Sequence, residues 1–138
     1  MKTSLTEAFA KFGATLRNPQ WSVSAWAPDG SLVVSLWAHH TRRNAPPGTM
    51  EFEDRLDRWS GPGNGELRRN VLLAHQQQSP VRLVLVRTVE TGRVQAGEDA
   101  SKIPKTFAAR EDLIGKVIRA DDVGFVIQFC EIGASQCQ

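Results

Sequence analysis

A length of 138 residues is that of a single domain, and it can bury a full core without metals or disulfides. Hydrophobic content of 41% against 23% charged excludes global disorder. The net charge of +2 permits a polyanionic partner, but residues 1–75 carry nine basic and seven acidic side chains and residues 76–138 eight of each, so any basic patch must come from folding.

Ser4-Leu5-Thr6-Glu7 is a capping-box pattern, and Leu5, Phe9, Phe12 and Leu16 follow at helical spacing. They predict a helix from Ser4 to Leu16, ended by Asn18-Pro19. Glu7 and Lys11 interrupt this segment, so it lacks the apolar run of a signal peptide. No run approaches membrane-spanning length, and a cytoplasmic location is the default expectation.

Trp21 to Ala27 and Leu32 to Ala38 alternate as two strands. Pro28-Asp29-Gly30 between them supplies a type I turn followed by a left-handed glycine, so the pair reads as a hairpin. His39 to Thr49 is a loop marked by Pro46-Pro47-Gly48. Phe52, Leu56 and Trp59 fit a short helix over Met50 to Trp59. After a second loop, Asn64 is a candidate N-cap for a helix carrying Leu67, Val71 and Ala74, which ends near Gln78. Val81 to Arg87 is almost continuously apolar, as in a strand covered on both faces. Thr88 to Pro104 is a long patternless excursion. Leu113 to Arg119 and Val123 to Cys130 are two further strands, with Asp121-Asp122 turning between them and Gly124 marking a bulge or bend. The expected fold is one compact α+β domain over residues 1–138. It has a curved, mostly antiparallel five-stranded sheet or small open barrel and two main helices.

Few residues carry a chemical signature. Cys130 and Cys137 are too few for a disulfide scaffold or a zinc site, and they read as a buried thiol and a tail thiol. Gly61 to Glu66 is glycine-rich before a helix but lacks the Walker lysine and the dinucleotide fingerprint. His39, His40, Glu51, Glu53, Asp54 and Asp57 are possible metal donors without ligand spacing. Arg55 and Arg58 interleave with the acids, which is the pattern of a solvated face. No nucleophile motif is present, so no catalytic residue, metal or cofactor is assigned.

The remaining pattern is aromatic and basic. At least one tryptophan of the hairpin falls off the main core face, because Trp37 shares a face with Val33 and Ser35 rather than with Leu32, Val34 and Leu36. Arg42 and Arg43 follow it and have no acidic neighbour between Asp29 and Glu51. An exposed indole beside guanidiniums can stack a base while the cations hold phosphate. The candidate contacts are Trp26, Trp37, His39, His40, Arg42, Arg43 and Arg68, with Arg69, Lys102, Lys105 and Arg110 as a possible rim.

The segment "WSVSAWAPDGSLVVSLW", the helix after "GPGNGE" and the closing strands "LIGKVIRADDVGFVIQF" together resemble, in order and spacing, the PUA-like group of small domains, which includes ASCH, EVE and SRA-type modules. The resemblance implies a curved sheet or pseudo-barrel and binding of RNA or modified DNA, sometimes with a base in an aromatic pocket. The leading expectation is a non-enzymatic binding domain for nucleic acid or a nucleotide-like ligand. One alternative is an accessory or regulatory protein acting through a protein partner or as a homodimer, since a Trp and Arg cluster also makes an interface hot spot. The other is a small metal-dependent hydrolase or nuclease using the acidic cluster.

Overall fold

The computed structural model describes residues 4–18, 22–42, 45–55, 62–89, 91–96 and 103–132. Among these residues the architecture is α+β, an open, mixed six-stranded sheet with three helices. Along the chain run α1 (Leu5–Ala10), β1 (Ser24–Trp26), β2 (Leu32–Trp37), a 3-10 turn (Ala38–His40), β3 (Thr49–Arg55), α2 (Pro62–Gln77), β4 (Val81–Arg87), α3 (Thr91–Gln95), β5 (Thr106–Ala120) and β6 (Gly124–Glu131). The strand order is β1-β2-β4-β5-β6-β3. Four of the five neighbouring pairs are antiparallel, and β2 and β4 are parallel.

The capping box forms as expected: the Ser4 hydroxyl accepts from the Glu7 amide and the Glu7 carboxylate from the Ser4 amide. The helix is shorter than its apolar spacing predicts, because Gly13 takes φ 77° and ends it. Phe9 and Leu16 still reach the core, while Leu5 and Phe12 are half-buried against it. The hairpin turn also forms: Gly30 takes φ 91°, its amide donates to Ala27, and the Asp29 carboxylate accepts from the Ser31 amide at 2.9 Å.

Three expectations are corrected. The segment read as a short helix over Met50 to Trp59 is β3 as far as Arg55, and the rest lies outside the described residues. Phe52 is buried by pairing with Ile127 on β6 rather than by a helical stripe. The strand count therefore rises to six. The excursion from Thr88 to Pro104 contains α3, whose Val94 is fully buried, and Ile103 anchors its far end. The second helix starts at Pro62, before the expected Asn64, because proline is well suited to a first helical position. It closes at Gln78, which takes φ 54°.

Alternation along β2 and β4 divides the interior into two cores. Leu32, Val34 and Leu36 pack with Leu83 and Leu85 under α2, whose Leu67, Val71 and Ala74 form the facing stripe. Val33 and Val84 face the opposite side, against α1. This is why β4 reads as an unbroken apolar run.

β5 joins the two halves of the sheet. Its first half pairs with β4 and its second with β6. Between Leu83↔Arg110 and Val81↔Gly115, four residues of β5 lie opposite one of β4, a large bulge. Arg82 fills it, donating from Nε to the Leu113 carbonyl at 3.1 Å and from Nη2 to the Glu111 carbonyl at 3.0 Å. Its guanidinium also lies 4.7 Å from the Phe12 ring centroid. Gly115 is needed here, since a Cβ would come within 2.5 Å of the Phe129 ring. A bridge between Thr41 and Phe52, with the Arg42 amide donating to the Glu51 carbonyl at 2.8 Å, brings the chain after β2 to the outer edge of β3. This one bridge forms a seam between the chain after β2 and β3, while the sheet itself stays open. No helix among the described residues is long and apolar enough to cross a membrane.

Candidate ligand-binding crevice

β2 and β4 end together, with Trp37 in register with Val86. Carboxyl ends of parallel strands are where open sheets flanked by helices leave room for ligands. Here the chain turns away through the 3-10 turn on one side and into α3 on the other. At these strand ends lies an open crevice of about 280 Å³, lined by Ala38, His39, Arg87 and Thr88. The Arg87 side chain is exposed and makes no hydrogen bond or ion pair among the described residues. Lys105, half-buried, immediately precedes Thr106, which pairs with Arg87.

A line of rings runs from this crevice into the seam. The half-buried Trp37 ring is 6.0 Å from that of His39. The His39 and His40 rings meet edge to face at 4.3 Å. His40 Nδ1 lies 3.3 Å from the Asp54 carboxylate of β3, with these side chains only 6% and 11% exposed. The 3-10 turn produces this arrangement. Two consecutive histidines on a strand would face opposite ways, whereas the turn sends one into the crevice and the other to β3.

The candidate residues separate accordingly. His39 lines the crevice, and Trp37 stands beside His39 without lining it. His40 lies behind it, with its Nδ1 beside Asp54. Arg42 is half-exposed but paired with Glu51 at 3.0 Å, so the cation that lacked an acidic neighbour in sequence gains one from β3. The other Glu51 oxygen accepts from Gln128 at 2.8 Å, which satisfies this buried carboxylate. Trp26 stands at the opposite end of the sheet, beside Leu32. Its indole N–H donates to Asn70 at 3.0 Å, and Asn70 donates to the buried Ser24 hydroxyl at 2.9 Å. Five residues of extended strand put Leu32 roughly 17 Å from Trp37, so Trp26 and Trp37 do not share a site. Arg68 is half-buried on α2. Arg43 and Lys102 lie outside the described residues, as do Trp21, Arg58 and Trp59.

Of the possible rim, Arg110 forms a two-pronged bond to Asp112 at 3.0 and 2.9 Å. This bond holds the Asp112 carboxyl below its usual range. Backbone amides do the same elsewhere: that of Ser31 for Asp29, and those of Gly124 and Val123 for Asp121.

The acids of β3 do not converge. Glu51 pairs with Arg42, Asp54 with His40, and Glu53 lies 3.7 Å from Arg119. Among the described residues no three His, Cys, Asp or Glu side chains are placed to hold a metal ion. Cys130 is disulfide-bonded rather than the free buried thiol expected, and Cys137 lies outside the described residues.

The sequence reading missed Arg87 and Thr88. Arg87 closes an apolar strand, and its placement becomes visible only when β2 and β4 are known to be parallel neighbours. It missed Asp54 as a partner of His40 because β3 was read as helical.

No family model matches the chain, and no curated protein matches it. Among solved structures the chain is similar to one in the crystal structure of KRYPTONITE in complex with mCHH DNA, H3(1-15) peptide and SAH, at 10% sequence identity and a TM-score of 0.35. The likeness covers 97% of this chain and 26% of that one, so the chain spans about a quarter of it. A superposition this loose does not equate the two folds.

Proposed function

We propose that the domain is a non-enzymatic binding module for nucleic acid or a nucleotide-like ligand, and that the crevice between the ends of β2 and β4 is its site. One observation carries the reading: an exposed arginine, a threonine and a histidine line an open crevice with a tryptophan ring beside the histidine. Arginine and threonine are phosphate donors, and aromatic faces stack bases without regard to sequence. The pairing of each β3 acid with a protein side chain favours binding over metal-assisted hydrolysis.

The test is a titration with single-stranded RNA, single-stranded DNA and duplex, each at two salt concentrations. Single strands are expected to bind with affinity falling as salt rises. Arg87→Ala should weaken binding and flatten the salt dependence by roughly 0.7, the share of one phosphate contact on a single strand. If the parent protein binds none of these, the protein-partner reading takes its place.

A further inference from the structure

We propose that Cys130 and Cys137 form an intrachain disulfide that works as a redox clasp. Closed, it fastens the end of the chain to the β3–β6–β5 half of the sheet. Opened by a dithiol, it loosens that half and leaves the β2/β4 half in place. The clasp is independent of the crevice and of any ligand there.

Connectivity follows from a count. The chain has two cysteines, Cys130 and Cys137. Cys130 is disulfide-bonded, and no free cysteine stands among the described residues. Within one chain this leaves Cys137 as its partner. The reach is sufficient. The Ile132 amide donates to the Asp112 carbonyl at 2.9 Å, so the chain stays paired with β5 two residues past Cys130. Two steps of strand put the Cα atoms of Cys130 and Ile132 roughly 7 Å apart. A disulfide holds its own two Cα atoms about 4.4–6.8 Å apart. Five further residues span up to about 17 Å, more than the return to Cys130 requires. Gly133 comes first among them, and glycine turns without steric cost. The bond can therefore close without drawing β6 out of the sheet.

Cys130 marks a corner that neither helical core covers. Phe125, Ile127 and Phe129 of β6 belong to the core under α2. Val126, Gln128 and Cys130 alternate with them and face the other way. The second core, against α1, takes no residue from β3 or β6. This face is instead held by ties from strand to strand. Gln128 donates to Glu51 at 2.8 Å. Arg119 lies 3.7 Å from Glu53 across Val126, with which both are in register. Cys130 is the next position along, in register with Thr49 of β3 and Ile114 of β5, and it is only 6% exposed. A disulfide there anchors the following chain at this corner. β3 depends most on such support, because β6 is its one neighbour in the sheet, supplemented by the single bridge to Thr41. β2 and β4 are packed between the two cores instead.

Opening is thiol–disulfide exchange. A thiolate of the dithiol attacks one sulfur, the bond between the two cysteines breaks, and the released cysteine thiolate takes a proton. The second thiol of the reductant loses its proton, attacks the mixed disulfide and releases the other cysteine, which is protonated in turn. Two electrons pass to the protein, which gains two thiols, and the reductant ends as a disulfide. The closed loop runs only from Cys130 to Cys137, but loop-closure entropy grows slowly with length, so a short loop still restricts the unfolded chain.

The experiment uses the whole chain, oxidised in air or reduced with dithiothreitol, beside Cys137→Ser, which leaves the buried Cys130 in place. Intact mass after alkylation in denaturant should show no label on the oxidised monomer and two labels after reduction. Reduction should lower the melting temperature by about 5–10 °C. Cys137→Ser should melt like the reduced protein and not respond to the reductant. Amide exchange should quicken on reduction at Thr49, Glu51 and Ile132, and not at Leu83, Val84 and Leu85 of β4. Two free thiols after oxidation, or a disulfide-linked dimer, would overturn the pairing. Equal melting of the oxidised and reduced protein would overturn the clasp. Exchange quickened as much in β4 as in β3 would overturn its confinement to one half of the sheet.

Discussion

The two ends of the β2/β4 pair carry the same residue types and use them differently. One end has Trp26 and Arg82, the other Trp37 and Arg87. At the first end both side chains donate inside the fold. The Trp26 N–H is held by Asn70, and Arg82 spans two carbonyls of β5 and the Phe12 ring. At the second end Arg87 is exposed, Trp37 is half-buried, and the wall between them is open. Residue type alone does not mark a site. What separates the ends, among the described residues, is whether neighbouring chain takes up the side-chain donors. β5 bulges into reach of Arg82, while α3 leads the chain away beyond Arg87.

The strongest way to break this comparison is through its arginines. Arg82→Ala should cost about 2–4 kcal/mol, because it removes charged donors from two backbone carbonyls and leaves the bulge unsupported. Arg87→Ala should stay within about 0.5 kcal/mol. Urea midpoints measure both, and equal losses would erase the distinction between the ends.

Asn70→Ala comes next, at about 2 kcal/mol, since it leaves the Trp26 N–H and the buried Ser24 hydroxyl without their partner. Ligand affinity should not change. A Trp26→Phe and Asn70→Ala double-mutant cycle would show coupling of about 0.5–1 kcal/mol if the bond contributes as argued.

Trp37→Ala inverts the pattern. Binding should weaken by about 1–2 kcal/mol, the value of one stacked base, with little change in the denaturation midpoint. A large stability loss with unchanged affinity would make Trp37 a core residue like Trp26.

The smallest effect is at the hairpin turn. The Ser31 amide holds the Asp29 carboxyl below the usual carboxylate range. A depressed folded-state value contributes stability above the unfolded value and loses it as pH falls through the folded one. Asp29→Asn should therefore lower stability slightly at neutral pH and flatten the decline below about pH 4, read by thermal melts.

How much of this was legible depended on contact range. The capping box, the Pro28-Asp29-Gly30 turn and the stripe Leu67, Val71 and Ala74 are local patterns, and all three form. β3 was not legible, because Phe52 is buried by β6, far along the chain, and its neighbours Glu51 and Asp54 gain partners only in the fold. The candidate site was legible in composition and not in membership. Trp37 and His39 follow from the hairpin and the turn after it. Arg87 and Thr88 enter through a parallel pairing that no local pattern announces. Trp26 looked equivalent to Trp37 because Asn70 lies 44 positions away.

The indole N–H resonances test the central claim most directly. In a ¹H–¹⁵N titration with a single-stranded oligonucleotide, the Trp37 indole and the amides of His39, Arg87 and Thr88 should move together and saturate at one affinity. The Trp26 indole and the Asn70 side-chain amide should stay in place. Movement of Trp26 with Trp37, or shifts centred on Trp26 and Asn70, would contradict the assignment of ligand binding to the carboxyl ends of β2 and β4.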